Sequence, residues 1–208
     1  MAAFESYTQL QTDIEEELMR DDLATGAAAR MIKLCEAQLN REIRALEMEK
    51  VSTLTLDDRY VALPADWDDT ISIQLQDSGN HALKLASRYA MDAMRQNSLN
   101  TGGVPTHYCH TDEQVELYPT PDASYMADFA YHIKIPALSD TQTTNWVLLD
   151  HPDVYFYGAL LHSAMYLEED QRLQGWATLY GAALQSFKSY CKRRKFSGPL
   201  RMKVRGLG

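Results

Sequence analysis

The stretch DHPDVYFYGALLHSAMYL, residues 150–167, is the most apolar part of the chain. Asp150, Pro152 and Asp153 are typical of a helix N-terminus, where an acidic cap and a proline in the first turn are favoured. The predicted helix runs to about residue 168 and is apolar on nearly every side, so it must be buried on every side. Its continuous apolar run, residues 154–167, is shorter than the ~20 residues needed to cross a bilayer.

Two predicted helices precede this segment and one follows it. Apolar residues spaced by three and four predict helices over residues 4–20 and from about residue 22 to residue 50. Trp176 and Phe187 lie on one face of the last helix, which runs to about residue 194. Four long helices from the two ends of a chain pack most simply as one bundle.

The middle of the chain is rich in predicted strands. Thr70–Leu75 alternates between polar and apolar residues, as a half-buried strand does, and Asp57-Asp58 separates two runs that form a hairpin. Further strands are predicted over residues 106–111, 114–118 and 125–135. The predicted fold is therefore α+β, with a four-helix bundle from residues 1–50 and 150–194, a β-rich insertion over residues 51–149 and an extended C-terminal arm over residues 195–208.

Charge is divided unevenly along the chain. The 208 residues include 29 Asp or Glu and 20 Lys or Arg, a formal net charge of −9. Residues 171–208 hold nine of those bases and no acid, so residues 1–170 carry a net charge of −18. The overall acidity argues against a free-standing nucleic-acid-binding protein, which normally has a basic surface. The uneven division indicates a partner for the basic end.

The three cysteines, Cys35, Cys109 and Cys191, form no CxxC pair and are odd in number. A disulfide framework is unexpected in a chain of this size, so a reducing compartment is favoured. Residues 1–17 are acidic and lack the basic and apolar regions of a secretion signal. We therefore expect a soluble protein that is made in a cytoplasm and has no membrane partner.

His107-Tyr-Cys-His110 is the most ligand-like cluster in the sequence. A zinc site needs three or four convergent ligands, and no second cluster supplies the rest. The carboxylates of Asp66-Trp-Asp-Asp69 suit Mg²⁺ or Ca²⁺, but the spacing is not that of a calcium loop, so turn and capping roles are favoured. The sequence has no nucleophile elbow, phosphate-binding loop or dinucleotide fingerprint. We therefore expect no catalytic residue, no metal and no cofactor.

The basic end alternates apolar and basic residues, as a two-faced extended strand does. It is either a solvated end, a phosphate-contacting arm or an arm that docks on an acidic protein by strand addition or in a groove. Arms that bind nucleic acid are rarely so apolar, so docking is favoured. The candidate docking residues are Lys192, Arg193, Arg194, Lys195, Leu200, Arg201, Met202, Lys203, Val204 and Arg205.

Aromatic side chains crowd the apolar helix and the helix that follows it. Tyrosine buries a large area while its hydroxyl stays solvated, which suits an interface between subunits. Burial in the chain's own core explains these residues equally well. The candidate subunit-interface residues are Tyr155, Phe156, Tyr157, Tyr166 and Trp176.

A family resemblance is carried by several segments in a fixed order, over about residues 10–190. The segments are CEAQLNREIR at 35–44 with LEME at 46–49, LPADW at 63–67, Tyr108 with VELYP at 115–119, IPALSD at 135–140, NWVL at 145–148 and PDVYFYGAL at 152–160. Together they resemble the head-to-tail adaptor, or connector, proteins of tailed bacteriophages.

The resemblance implies a structural virion protein without enzymatic activity. Such adaptors form a twelve-subunit ring beneath the portal, where the ring extends the DNA channel and supports the tail or nozzle protein. Their C-terminal segment reaches the portal, a role that falls here on the basic arm. An acidic body lets DNA pass without specific binding, because it repels phosphate. The alternative from another class is a small metal- or ligand-dependent enzyme that uses His107–His110.

Overall fold

The computed structural model describes residues 6–20, 23–76, 81–97, 102–166 and 171–195. Within these residues the chain forms six α-helices and seven strands. The helices are α1 (Tyr7–Leu18), α2 (Ala27–Glu42), α3 (Arg88–Asn97), α4 (Trp146–Asp150), α5 (Pro152–His162) and α6 (Arg172–Lys195). The strands are β1 (Glu49–Leu56), β2 (Tyr60–Ala62), β3 (Trp67–Leu75), β4 (Lys84–Leu85), β5 (His107–Thr111), β6 (Gln114–Tyr118) and β7 (Tyr125–Ile133).

The chain divides into two compact units. The helical unit comprises Met1–Leu46 and Ile135–Gly208, and the β unit comprises Glu47–Lys134. The helical unit contains all the helices except α3, which belongs to the β unit. The domain boundaries expected from the sequence stay a prediction, and the two units are described separately below.

The predicted four-helix bundle of terminal helices is wrong. The structure is α+β, but α2 ends at Glu42, where Ile43 adopts an extended conformation, and the short helix α4 precedes α5. The helix α5 packs against α1, α2, α4 and α6. The helix α5 is therefore surrounded by helices of unequal length and is not one of four similar helices in a bundle. Apolar spacing alone could not distinguish these arrangements, because it fixes neither where a helix ends nor how many neighbours it has.

The helix α5 is tightly packed at Gly158, because its backbone lies against two other helices. A Cβ atom added at Gly158 would collide with the Cys35 Sγ of α2 and would lie 3.0 Å from the Tyr180 ring of α6. The Cys35 thiol also donates a hydrogen bond to the Val154 carbonyl, 3.8 Å away. Glycine at position 158 thus sets the distance between α5 and these two helices.

A buried polar network fixes α5 to the segment before α4. Glu36 of α2 accepts hydrogen bonds from the Leu138 amide (2.7 Å) and the Tyr155 hydroxyl (3.2 Å). The Asn145 side-chain amide donates to the same hydroxyl at 2.7 Å, and its carbonyl caps α4 by accepting from the Leu148 amide at 2.9 Å. Burial raises the pKa of Glu36 despite these hydrogen bonds. Other arrangements of these helices would leave a buried polar group without a hydrogen-bond partner, which costs free energy. The network therefore favours the observed arrangement.

The β unit contains two sheets that share a buried core. One sheet has the strand order β1-β7-β3 and the other β2-β6-β5-β4, and all pairs are antiparallel except β4 with β5. Side chains from both sheets form one apolar cluster: Leu56, Ile73, Leu75, Leu83, Tyr108, Val115, Leu117, Ala127, Phe129 and Tyr131. The alternation expected over Thr70–Leu75 agrees with this arrangement, because Ile73 and Leu75 are both buried.

A buried carboxylate joins the helix α3 to the strands beneath it. The Glu116 side chain of β6 is 0% exposed, and its Oε1 lies 2.6 Å from Arg59 Nη2 and 3.1 Å from Arg95 Nε. Its Oε2 lies 3.4 Å from Arg88 Nη1. Burial tends to raise the pKa of Glu116, but the hydrogen bonds from Arg59 and the three guanidinium charges outweigh it and hold the pKa below its ordinary value.

We predict that Gly158→Ala destabilises the helical unit by about 2 kcal/mol, because the added methyl group overpacks a filled site. Gly181→Ala on α6 is the matched control, since nothing lies within 4 Å of its added Cβ. The control should leave stability unchanged or raise it by about 0.5–1 kcal/mol, the gain from replacing a helical glycine. Urea unfolding followed by circular dichroism measures both. Equal effects of the two substitutions would contradict the close packing.

We predict that Glu116→Gln destabilises the β unit by about 2 kcal/mol, because it removes the charge of a buried carboxylate that binds three guanidinium groups, of which Arg59 and Arg88 are partly exposed and lose less than a buried pair would. The folded-state pKa lies below the unfolded value, so this carboxylate stabilises the fold above the unfolded pKa of about 4.3, and its contribution is lost as pH falls through the folded pKa. Urea unfolding at several pH values should show the difference between wild type and variant shrinking in acid. Glu113→Gln, an exposed position on the same hairpin, is the control that should change little.

Candidate functional site

The C-terminal end of α6 is a basic surface. Its last turn consists of Lys192, Arg193, Arg194 and Lys195, and all four are exposed. Cations in the last turn of a helix interact favourably with the helix dipole. The four basic side chains therefore stabilise the end of α6 and also place positive charge on its surface. The remaining candidate docking residues, Leu200, Arg201, Met202, Lys203, Val204 and Arg205, lie outside the described residues.

Aromatic contacts and an ion pair anchor α6 in the helical unit. The Phe187 ring lies 4.3 Å from the ring of His151 and 5.8 Å from that of Trp146. Lys188 Nζ pairs with Glu42 at 2.6 Å. Burial lowers the pKa of His151, so its ring favours the neutral form. Lys188 therefore helps to hold α6 in the helical unit, and the exposed bases of the last turn, Lys192 to Lys195, follow it along the helix.

The five candidate interface residues differ in how much surface they present. Tyr155 is 0% exposed and belongs to the buried network described above, and Trp176 is 5% exposed. Phe156 and Tyr157 are half-buried, with ring centroids 5.5 Å apart. Tyr166 is also half-buried, and its hydroxyl accepts from Arg30 Nε at 3.1 Å. Of this set, Phe156, Tyr157 and Tyr166 are therefore the residues that present side-chain surface.

The His107–His110 segment forms β5, and its side chains have different partners. His107 Nδ1 lies 2.9 Å from Thr106 Oγ1, while the buried Cys109 thiol donates to Glu116 Oε2 at 3.7 Å. His110 stacks on Trp67 with ring centroids 5.2 Å apart, and burial lowers its pKa. Across the described residues, no group of three or more His, Cys, Asp or Glu side chains could hold a metal ion.

The Asp66–Asp69 segment is engaged in local contacts. Asp66 pairs with Lys50 at 2.6 Å and accepts a hydrogen bond from the Tyr131 hydroxyl at 2.9 Å. The hydrogen bond from Lys50 is the main reason that the pKa of Asp66 lies below its ordinary value. Asp69 accepts from the Thr70 amide at 2.9 Å, and Asp68 lies 3.8 Å from Lys134. These contacts are those of turn and ion-pair residues.

A groove in the β unit was not expected from the sequence. It encloses about 380 Å³ and is lined by Leu63, Pro64, Ala65, Trp67, Asp112, Glu113 and Lys134. We call it the acidic groove. One wall is the segment between β2 and β3, and the other is the hairpin turn between β5 and β6. A hydrogen bond from the Leu63 amide to the Glu113 carbonyl, 2.9 Å long, joins the two walls.

The sequence predicted the two walls of the groove but not their contact. Leu63-Pro64 indicates the end of a strand and Asp112-Glu113 indicates a hairpin turn, but their separation in the sequence does not predict that they lie side by side. Asp112 has a positive φ of 52°, which Asp tolerates better than most residues. The register of β3 shifts between Trp67 and Asp69. Such irregularities redirect side chains, and their position is not readable from apolar alternation.

Comparison with known proteins agrees with the resemblance that the sequence segments indicate. The model of one protein family, described as SU10 adaptor protein, matches residues 6–203. No curated protein matches the chain. None of the helices in the described residues is long and apolar enough to cross a membrane. The family match spans nearly the whole chain, so the chain belongs to the SU10 adaptor protein family, a family of structural head-to-tail adaptors of bacteriophages.

Proposed function

We propose that this adaptor forms a ring, with twelve subunits, that joins the portal to the tail or nozzle protein and extends the DNA channel. Its place is the head-tail junction of the virion, after synthesis in the host cytoplasm. The observation that carries the proposal is the exposed basic end of α6 on an otherwise acidic chain of the adaptor family. No catalytic step is needed for this role.

The acidic body suits a channel through which DNA must slide. Residues 1–170 carry a net charge of −18, and a wall of the same sign as the phosphates repels DNA instead of holding it. Many of the acids are on the surface, including Glu15 and Glu16 of α1 and Asp112 and Glu113 of the β5–β6 turn. Genomic DNA therefore passes without specific contacts.

The basic arm is the segment that attaches the ring to the portal. The four bases at the end of α6 lead into the arm, and residues 196–208 hold Arg201, Lys203 and Arg205 alternating with apolar residues. Charges of one sign steer an encounter with an acidic partner surface, and apolar side chains then add buried area. The arm thus combines the two kinds of contact that a lasting attachment needs.

The contacts between ring subunits involve the helical unit. A closed ring needs a heterologous contact, in which two different surfaces of each subunit meet. Phe156, Tyr157 and Tyr166 provide half-buried aromatic area for one of these surfaces. Leu179 on α6, which is 46% exposed, is an apolar residue that suits the same role.

We predict that replacing Arg201, Lys203 and Arg205 together by Gln abolishes attachment to the portal, because the arm loses its charge while keeping its length. Replacing Leu200, Met202 and Val204 together by Ser tests the apolar contribution separately. Co-sedimentation of each full-length variant with purified portal measures attachment. Neither change touches the described fold, so thermal unfolding should match that of the wild type. Undiminished portal binding by both variants would exclude the arm as the attachment segment.

We predict that acidic side chains dominate the channel wall of the assembled ring. Electron microscopy of the purified protein with its portal would show both the number of subunits and the residues that face the channel. A ring of twelve with an acidic wall is the expected result. A wall formed mainly by the 11 bases of residues 1–170 would contradict the repulsion, since Lys and Arg bind phosphate.

A further inference from the structure

We propose that the acidic groove of one subunit is a docking site for the basic arm, residues 196–208, of a second copy of the chain. The occupied groove holds the arm before the portal is present. The proposal rests on the proposed function in one respect: the segment that docks is the one proposed above to attach the ring to the portal. The docking surface itself lies wholly within the β unit and is independent of portal binding.

The groove offers apolar area and unpaired negative charge side by side. Leu63, Pro64 and Trp67 are half-buried, so an apolar side chain placed between them removes further apolar area from water. Asp112 and Glu113 are exposed and form no ion pair with any residue in the described ranges. Among the described residues that line the groove, Lys134 is the one base, and it already has Asp68 3.8 Å away.

The chemistry of the arm matches that of the groove. Leu200, Met202 and Val204 alternate with Arg201, Lys203 and Arg205, so an extended arm presents an apolar face and a basic face. The apolar face fits Leu63, Pro64 and Trp67, and the basic face fits Asp112 and Glu113. Arginine also stacks on aromatic rings such as Trp67.

The arm docks through side chains in the groove and not by extending the sheet. The strand β2 is at the edge of its sheet and is followed by Leu63 and Pro64. Proline has no amide hydrogen, so a strand added along β2 could not continue its hydrogen bonds past this point. The groove begins where that edge ends, which leaves side-chain contacts as the available mode.

The arm is long enough to reach a second copy. It begins where α6 ends, at Lys195, and the 13 residues that follow span at most roughly 45 Å when extended. That reach exceeds the diameter of a small domain. A segment that binds a neighbouring copy in this way links subunits before the portal is present and is released when the portal takes the arm.

Sedimentation velocity of the full-length protein at several concentrations tests the docking. The groove variant Asp112→Asn with Glu113→Gln removes both charges, and Asn keeps the preference for positive φ at position 112. We expect its self-association to weaken about tenfold relative to wild type, as the loss of two exposed charge contacts implies. The matched control, Asp57→Asn with Asp58→Asn, removes two charges from another turn that does not line the groove and should change nothing.

A charge exchange identifies the arm as the occupant. Protein with Glu113→Lys and protein with Lys203→Glu should each associate weakly with itself. Their mixture should associate more strongly, because the reversed arm of one then meets the reversed groove of the other. Cross-linking adds a direct readout: copies with Glu113→Cys and copies with Met202→Cys should form a mixed cross-link, since the three native cysteines are buried.

Three outcomes would overturn the docking: equal self-association of the groove variant and its control, no gain on mixing the charge-reversed proteins, or no mixed cross-link between the Glu113→Cys and Met202→Cys copies. Portal attachment is measured on the same proteins. The groove variant keeps its arm and should bind the portal at least as well as the wild type. If the arm variants still bind the portal and the groove variant still shows weakened self-association, the attachment role proposed for the arm is wrong and its docking in the groove is supported.

Discussion

The absence of a polar face on α5 is the constraint on which the helical unit depends. An amphipathic helix can lie on a surface, but Pro152–His162 is apolar on nearly every side, and α1, α2, α4 and α6 cover most of it. Enclosure requires a close approach, which explains glycine at position 158 between Cys35 and Tyr180. It also requires that the one deeply buried hydroxyl on α5, that of Tyr155, has partners, which Glu36 and Asn145 supply.

This enclosure limits which residues are left for assembly. Tyr155 and Trp176 are committed to the interior of the chain, so they define the shape of the subunit and not its contacts. The residues that remain at the surface of the same helices are half-buried aromatics such as Tyr157. The position of this surface is therefore set from beneath by a buried core and network, and support of this kind is what a well-defined interface would need.

Sequence reasoning predicted the elements of the fold better than their arrangement. Alternation placed a strand over Thr70–Leu75, within β3, and Pro152 with Asp153 marked the first turn of α5, because both are local patterns. The acidic cap expected at Asp150 was wrong, because Asp150 ends α4 and His151 precedes α5 without a side-chain cap hydrogen bond. The bundle prediction was wrong because α2 ends at Glu42, a point set by long-range contacts such as that of Asn40 with the Ile135 amide. The role of Glu116 was also missed, since a Glu between Val115 and Leu117 resembles an exposed strand position until Arg88 and Arg95, seven residues apart on α3, are placed above it.

Paired and unpaired charges must be separated before the net charge of −9 can be interpreted. Within the described residues, several bases already have a carboxylate partner of their own: Lys50 with Asp66, Lys134 with Asp68, and Lys188 with Glu42. These pairs contribute little to the field felt by a distant partner, because opposite charges a few ångströms apart largely cancel. Glu116 is different, because its single negative charge is shared by Arg59, Arg88 and Arg95 and offsets only one of their charges. The field of the folded body is therefore set by its surplus of acids, and positive charge is concentrated at the end of α6. The roles proposed for the acidic body and for the basic arm both depend on this separation of charge along the chain.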